Sequence, residues 1–251
     1  MSTNNHSNNS NSNSNSNGSS SDKINNVVIT GASRGIGLAL VSEYKARNAE
    51  QIIAICRNVP PELAKFYNQG VRIIDGIDVT DEAKVASLPG KIKHIMPNID
   101  LLINNAGIYL EDSLEEIATA QLLAQFTTNA IAPLMITRTL LPLLQSNGGG
   151  KVAMISSQMG SIGGNENGTS YGYRASKAAL NAFGKNLAID LKRLGVAVFQ
   201  LHPGYVDTDM TKHLGPITPK DSAVSLAKLI SKLTLNESGT FWHINGEQLR
   251  W

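Results

Sequence analysis

Seven short apolar runs recur along the chain, at Val27–Thr30, Gln51–Cys56, Val71–Ile74, Ile99–Asn104, Lys151–Ser156, Val196–His202 and Phe241–Ile244. They are rich in Val and Ile and lack the polar alternation of a strand with one wet face. Such runs read as strands covered on both sides, the usual condition in a parallel sheet. Between them lie stretches with helical spacing, near Gly35–Arg47, Pro61–Asn68, Asp81–Ile95, Thr119–Leu144, Tyr173–Leu194 and Asp221–Leu233. Right-handed crossovers between parallel strands place helices on both faces. The pattern predicts an α/β fold, a doubly wound parallel sheet of about seven strands, in one domain from roughly Lys23 to Trp251. No internal linker or repeat interrupts it.

Ahead of that domain, Met1–Asp22 is almost entirely Asn and Ser. Such a tract buries too little apolar surface to offset its ordering entropy, so a disordered tail is expected. The 251 residues are 41% hydrophobic, enough for one sizeable core. A formal charge of +2 with scattered basic residues argues against nucleic acid or an acidic membrane surface as partner. The single cysteine, Cys56, excludes an internal disulfide framework and fits a reducing compartment. No apolar stretch is long enough to span a bilayer, and the N-terminus lacks a basic-then-apolar leader, so the cytoplasm is the expected location. His6, His94, His213 and His243 show no metal-ligand spacing, and no metal is expected.

The chain concentrates glycine in "TGASRGIG", Thr30–Gly37, between the first strand and the first helix. Gly31, Gly35 and Gly37 would let backbone N–H groups approach a pyrophosphate, and the helix N-terminus favours its negative charge. The order strand, glycine turn, helix points to a dinucleotide. The spacing is G-x-x-x-G-x-G rather than G-x-G-x-x-G, and a tight turn alone would also explain it.

Further motifs follow in order: "NNAG" at Asn104–Gly107, "FTTNAIAPL" around Asn129, "ISS" at Ile155–Ser157, "YRASK" at Tyr173–Lys177 and "HPGYVDTDM" at His202–Met210. Together with the glycine loop they resemble the short-chain dehydrogenase/reductase family, over essentially everything after the tail. "CRN", "YGYRASKAALN" and "HPGYVDTDM" look closest to the carbonyl-reductase-like branch that includes C-factor and sniffer proteins. The resemblance implies a cofactor site made by Gly31, Ser33, Arg34, Gly35, Ile36, Gly37, Val79, Asn105, Ala106 and Gly107. It adds Asp78 on the adenine amino group, and Pro203, Gly204, Val206 and Thr208 at the nicotinamide. It implies that Ser157 bonds the substrate oxygen and that Asn129 holds, by its side chain, a water linking Lys177 to solvent. It also implies a homodimer or homotetramer built on the Thr119–Leu144 and Tyr173–Leu194 helices.

The residues themselves bear on the choice of dinucleotide. About twenty residues beyond the glycine loop, the second strand ends in Cys56-Arg57-Asn58, with no carboxylate for a ribose 2′-hydroxyl. Arg57 can pair with a 2′-phosphate and Arg34 can reach the same group, which favours NADP (NADPH) over NAD. Arg57 could otherwise be a solvated charge at a strand end.

Tyr173 and Lys177 are four residues apart on one helix face. A neighbouring ammonium stabilises phenolate, so Lys177 is expected to bring Tyr173 below its ordinary value and make it an acid or base near neutral pH. Tyr171 falls off that face and reads as a packing or substrate-rim residue. Ser156 is the alternative to Ser157, and strand alternation favours Ser157. The polar, glycine-rich 158–172 segment reads as a flexible rim at the substrate entrance, somewhat longer than is usual in the family. His202 reads as structural. The expected activity is NADPH-dependent reduction of a ketone or aldehyde. A dinucleotide-binding signalling or regulatory protein with little turnover is the alternative, and an intact Ser157, Tyr173 and Lys177 argues against it.

Overall fold

Val27–Ile29, Ile53–Ile55, Leu101–Ile103 and Val152–Met154 are all buried, which is what strands covered on both faces require. The computed structural model describes Met1 and residues 24–251; beyond Met1, the tail expected over Met1–Asp22 lies outside the described residues. The strands are β1 (Asn26–Thr30), β2 (Gln51–Ile55), β3 (Val71–Ile74), β4 (Leu101–Asn104), β5 (Lys151–Ile155), β6 (Ala197–His202) and β7 (Thr240–His243). All pair in parallel, in the order β3-β2-β1-β4-β5-β6-β7. Each lies within two residues of its expected bounds.

The strand order reverses between β1 and β4, so a crevice opens above their carboxyl ends. One face of the sheet carries α1 (Gly35–Ala46), α2 (Pro61–Ala64) and α8 (Pro219–Lys232), which bury Leu40, Val41, Tyr44, Leu63, Leu226 and Ile230. The other carries α3 (Glu82–Ala86), α4 (Leu88–Lys93), α6 (Ala132–Leu144) and α7 (Tyr171–Leu191), with Val85, Ile92, Ile136, Leu140 and Leu180 in its core. The helix α5 (Thr119–Phe126) packs on α7.

The helices depart from expectation in three places. The 81–95 stretch is two helices, because Ser87 ends α3 and Pro89, lacking an N–H, fits only the first turn of a new one. The helix expected from Pro61 stops at Ala64 and is followed by a 3-10 turn at Tyr67–Gln69. The long 119–144 helix contains a π turn at Thr127–Ile131, and Asn129 is at its centre.

Candidate active site

At the end of β1 the chain turns through the glycine loop into α1. A Cβ on Gly31 would stand 2.7 Å from the Ala106 Cα, and one on Gly37 would stand 2.2 Å from the Gly31 carbonyl oxygen. Both glycines are therefore required by the junction itself, before any ligand is considered. Arg34 occupies the cap position of α1 in an extended conformation, its side chain makes no cap hydrogen bond, and the first turn carries no acidic residue. The first N–H groups of α1 thus have no side-chain acceptor, and together with the helix dipole they suit an anion.

Above this junction lies a cleft of about 480 Å³. One wall is the loop itself, with Gly31, Ser33, Arg34, Gly35 and Ile36. Arg57, Asp78 and Val79 line the side beyond β2 and β3, Asn105, Ala106 and Gly107 the floor after β4, and Pro203 and Thr208 the far side after β6. Gly37, Gly204 and Val206 are not among the lining residues. Val206 is buried and its carbonyl accepts from the Thr211 hydroxyl at 2.6 Å, which shapes the post-β6 turn. The Asn105 side chain is committed to the scaffold: its Nδ2 donates to the Thr30 and Gly31 carbonyls, each at 3.1 Å. The Asp78 carboxylate accepts from the Thr80 N–H at 2.9 Å and hydroxyl at 2.7 Å, and these bonds hold it below the usual carboxylate range. Asp81, not Asp78, caps α3.

Two guanidiniums meet the cleft. Arg34 Nη1 lies 2.8 Å from Asp209 Oδ2 in an exposed ion pair, and Arg57 lines the cleft where β2 ends without a carboxylate. Asp207, Asp209, Met210 and His213 also line it, residues to which the sequence assigned no individual role. Their only signal was membership of "HPGYVDTDM" and its continuation, and a motif string does not tell which of its side chains turn inward.

Tyr173 and Lys177 enter from the first turns of α7 and line the same cleft. Lys177 is buried, its Nζ donates to the Ile155 carbonyl at 2.8 Å, and it stands 5.7 Å from the centre of the Tyr173 ring. Burial lowers it to about 8. Burial raises Tyr173 to about 12, the Ser157 hydroxyl beside it pulls the other way, and Tyr109 adds to the rise. This corrects the expectation that Lys177 brings Tyr173 below its ordinary value. Both groups share one desolvated pocket, and desolvation outweighs a cation already spent on a carbonyl.

Ser157 follows β5, with its hydroxyl also accepting from the Met159 N–H at 3.1 Å. Ser156 lines the cleft and Ser157 does not, but the Ser156 hydroxyl is committed to the core, donating to Asn181 Oδ1 at 2.7 Å. Asn129 is fully buried. Its Oδ1 accepts from the Ile108 N–H at 2.8 Å, and its Nδ2 donates to the Ile108 carbonyl at 2.9 Å and the Ser176 hydroxyl at 3.0 Å. The side chain is a clamp between the post-β4 loop and α7. Tyr109, from that loop, sets its ring edge against Tyr173 with centres 5.2 Å apart. Tyr171 is exposed and does not line the cleft. His202 is mostly buried against His243, which lowers it to about 4 and keeps it neutral. Among the described residues no group of three or more His, Cys, Asp or Glu is placed to hold a metal ion, and no helix is long and apolar enough to cross a membrane.

Residues 25–217 match the family described as short chain dehydrogenase. A curated relative, the 1-hydroxy-2-glutathionyl-2-methyl-3-butene dehydrogenase of Rhodococcus sp. strain AD45, is 34% identical over 232 residues, covering 91% of this chain and all of that protein. Among solved structures, the NADPH-bound carbonyl reductase from chicken fatty liver superposes with a TM-score of 0.86 at 29% identity, covering 91% of this chain and all of the other. The carbonyl reductase Sniffer of D. melanogaster does so with a TM-score of 0.86 at 31% identity and the same coverage.

Proposed function

Because the chain belongs to the short chain dehydrogenase family, a family of oxidoreductases, we propose that it is an NADPH-dependent carbonyl reductase that converts a ketone or aldehyde to an alcohol. One observation carries this reading. Tyr173, Lys177 and the glycine loop line a single cleft, and the buried Ser157 hydroxyl stands beside the Tyr173 phenol. The NADPH-bound carbonyl reductase and Sniffer, similar to this chain over nine-tenths of its length, support the same activity.

The residues present fit the dinucleotide. The glycine cradle and the open first turn of α1 suit a pyrophosphate, and Arg34 and Arg57 suit a 2′-phosphate where a carboxylate would repel it. When bound, the nicotinamide supplies the hydride that reduces the carbonyl carbon. The protein does the rest. Ser157 donates a hydrogen bond to the carbonyl oxygen, where negative charge develops. Tyr173, at about 12, is protonated at neutral pH and gives its phenolic proton to that oxygen. The phenolate left behind is stabilised by the Lys177 ammonium, which with a value of about 8 can also return a proton near neutral pH. The π turn at Thr127–Ile131 interrupts the i→i−4 ladder beside this pair, and water held on its backbone would link Lys177 to solvent.

The test is NADPH consumption by the purified full chain against a panel of ketones and aldehydes, with fluorescence titration of NADPH and NADH. Turnover of at least one carbonyl, with NADPH bound more tightly than NADH, is expected. Tight NADPH binding with no turnover of any carbonyl or alcohol would replace this reading with a signalling or regulatory role.

A further inference from the structure

The helix that carries Tyr173 does not cap itself. Ser170, in the cap position of α7, is left-handed at φ 50°, as is Thr169 before it at φ 56°. Two successive non-glycine residues in that region are disfavoured, and such a conformation persists only where the surroundings over-determine it. The Ser170 hydroxyl is engaged with the Tyr109 phenol at 3.0 Å and makes no cap bond.

The missing cap comes from Asp112, sixty residues earlier on the β4–α5 connection. Its Oδ1 accepts from the Tyr171 N–H, its Oδ2 from the Gly172 N–H at 2.9 Å, and its carbonyl from the Ser170 N–H at 3.2 Å. Asp112 is only 5% exposed, and these charge-assisted bonds end one residue before Tyr173. The approach is close enough to dictate sequence. A Cβ on Gly172 would stand 2.4 Å from Gln125 Nε2 and 3.0 Å from Asp112 Oδ2. On the outer side, Arg174 Nε donates to the Gly168 and Thr169 carbonyls at 2.9 and 3.1 Å.

We infer that Asp112 is a positioning residue for the reaction: by capping α7 from the β4–α5 connection, it fixes the first helical turn and so sets where the Tyr173 phenol stands relative to Ser157. The inference rests on Tyr173 being the proton donor. A displacement of the donor by about 1 Å can cost on the order of a hundredfold in rate. A carboxylate that serves only to keep the helix folded would alter the number of competent molecules instead, and the two are separable.

Asp112→Ala and the near-isosteric Asp112→Asn, which keeps one acceptor oxygen, are compared with wild type and Tyr173→Phe. Rates are expressed per NADPH-binding site from titration. The expected kcat falls by about 10- to 100-fold in Asp112→Ala and less in Asp112→Asn, with NADPH affinity and KM changed by less than about threefold. If Asp112→Ala does not fold, Asp112→Asn alone decides the matter. Fewer binding sites with unchanged kcat per site, or wild-type kcat in Asp112→Asn and in any folded Asp112→Ala, overturns the inference while an inactive Tyr173→Phe leaves the proposed chemistry standing. An active Tyr173→Phe overturns the chemistry itself.

Discussion

Arg34 and Arg57 approach the same cleft in different settings. Arg34 is paired with Asp209, but both side chains are more than half exposed, and an exposed pair of this kind contributes little and exchanges partners readily. Arg57 stands where an acidic residue would select NAD. Arg57→Asp should weaken NADPH binding by about 10- to 100-fold, the range for losing a charge-assisted bond, and leave NADH within a few-fold, as read by fluorescence titration. Equal losses for both cofactors would remove Arg57 from phosphate reading. At this scale the motif strings marked Tyr173, Lys177 and the glycine loop, which the fold brings to one cleft, and the family resemblance marked Ser157, which the fold sets beside Tyr173. The direction of the Tyr173 shift was not legible. Spacing puts Lys177 on the same helix face, but only the fold shows that Lys177 is buried, that Tyr173 is half-buried beside it, and that Lys177 Nζ is held by Ile155.

Among the elements, the junction of β1 with α1 is the least forgiving. Gly37→Ala would set a Cβ 2.2 Å from a backbone oxygen and 2.6 Å from Asn105 Nδ2, so the loop itself must move. The expected cost is about 1–3 kcal/mol in urea denaturation, with NADPH binding weakened as well; full stability and affinity would show that the junction yields freely. The strands were legible because parallel burial writes continuous Val and Ile into the sequence. The π turn was not, because it depends on Asn129 bonding Ile108 and Ser176, partners 21 and 47 residues away. The break between α3 and α4 was marked by Pro89, yet the periodicity on either side of it read as one helix.

Across the whole molecule, desolvated groups, among them His202, Lys177, Tyr173 and Tyr44, give folding stability a defined pH dependence, with Tyr44 raised by burial in the same direction as Tyr173. His202 takes a proton at about 4 when folded and near its ordinary 6.5 when unfolded, so the unfolded chain binds more protons between those values and stability falls as pH drops through them. Lys177, about 8 folded against 10.5 unfolded, makes stability rise with pH over that window. Tyr173, about 12 folded against 10.0 unfolded, takes stability away as pH climbs from 10 towards 12. Urea denaturation across pH should show the alkaline rise in wild type, on the order of 1–3 kcal/mol, and its absence in Lys177→Met. Identical profiles would mean Lys177 is solvated in the folded protein. The seven-stranded parallel architecture was legible from the alternation of runs, whereas the strand order, and with it the crevice at the β1/β4 reversal, came only with the fold, because pairing is set by contacts distant in sequence. What the full chain does with that crevice turns on one hydroxyl. The most direct measurement is the turnover of purified Tyr173→Phe, per NADPH-binding site, on the best carbonyl substrate of the wild type. The account predicts a fall of at least about 10²–10⁴-fold with folding and NADPH affinity intact, and near-wild-type reduction would contradict it.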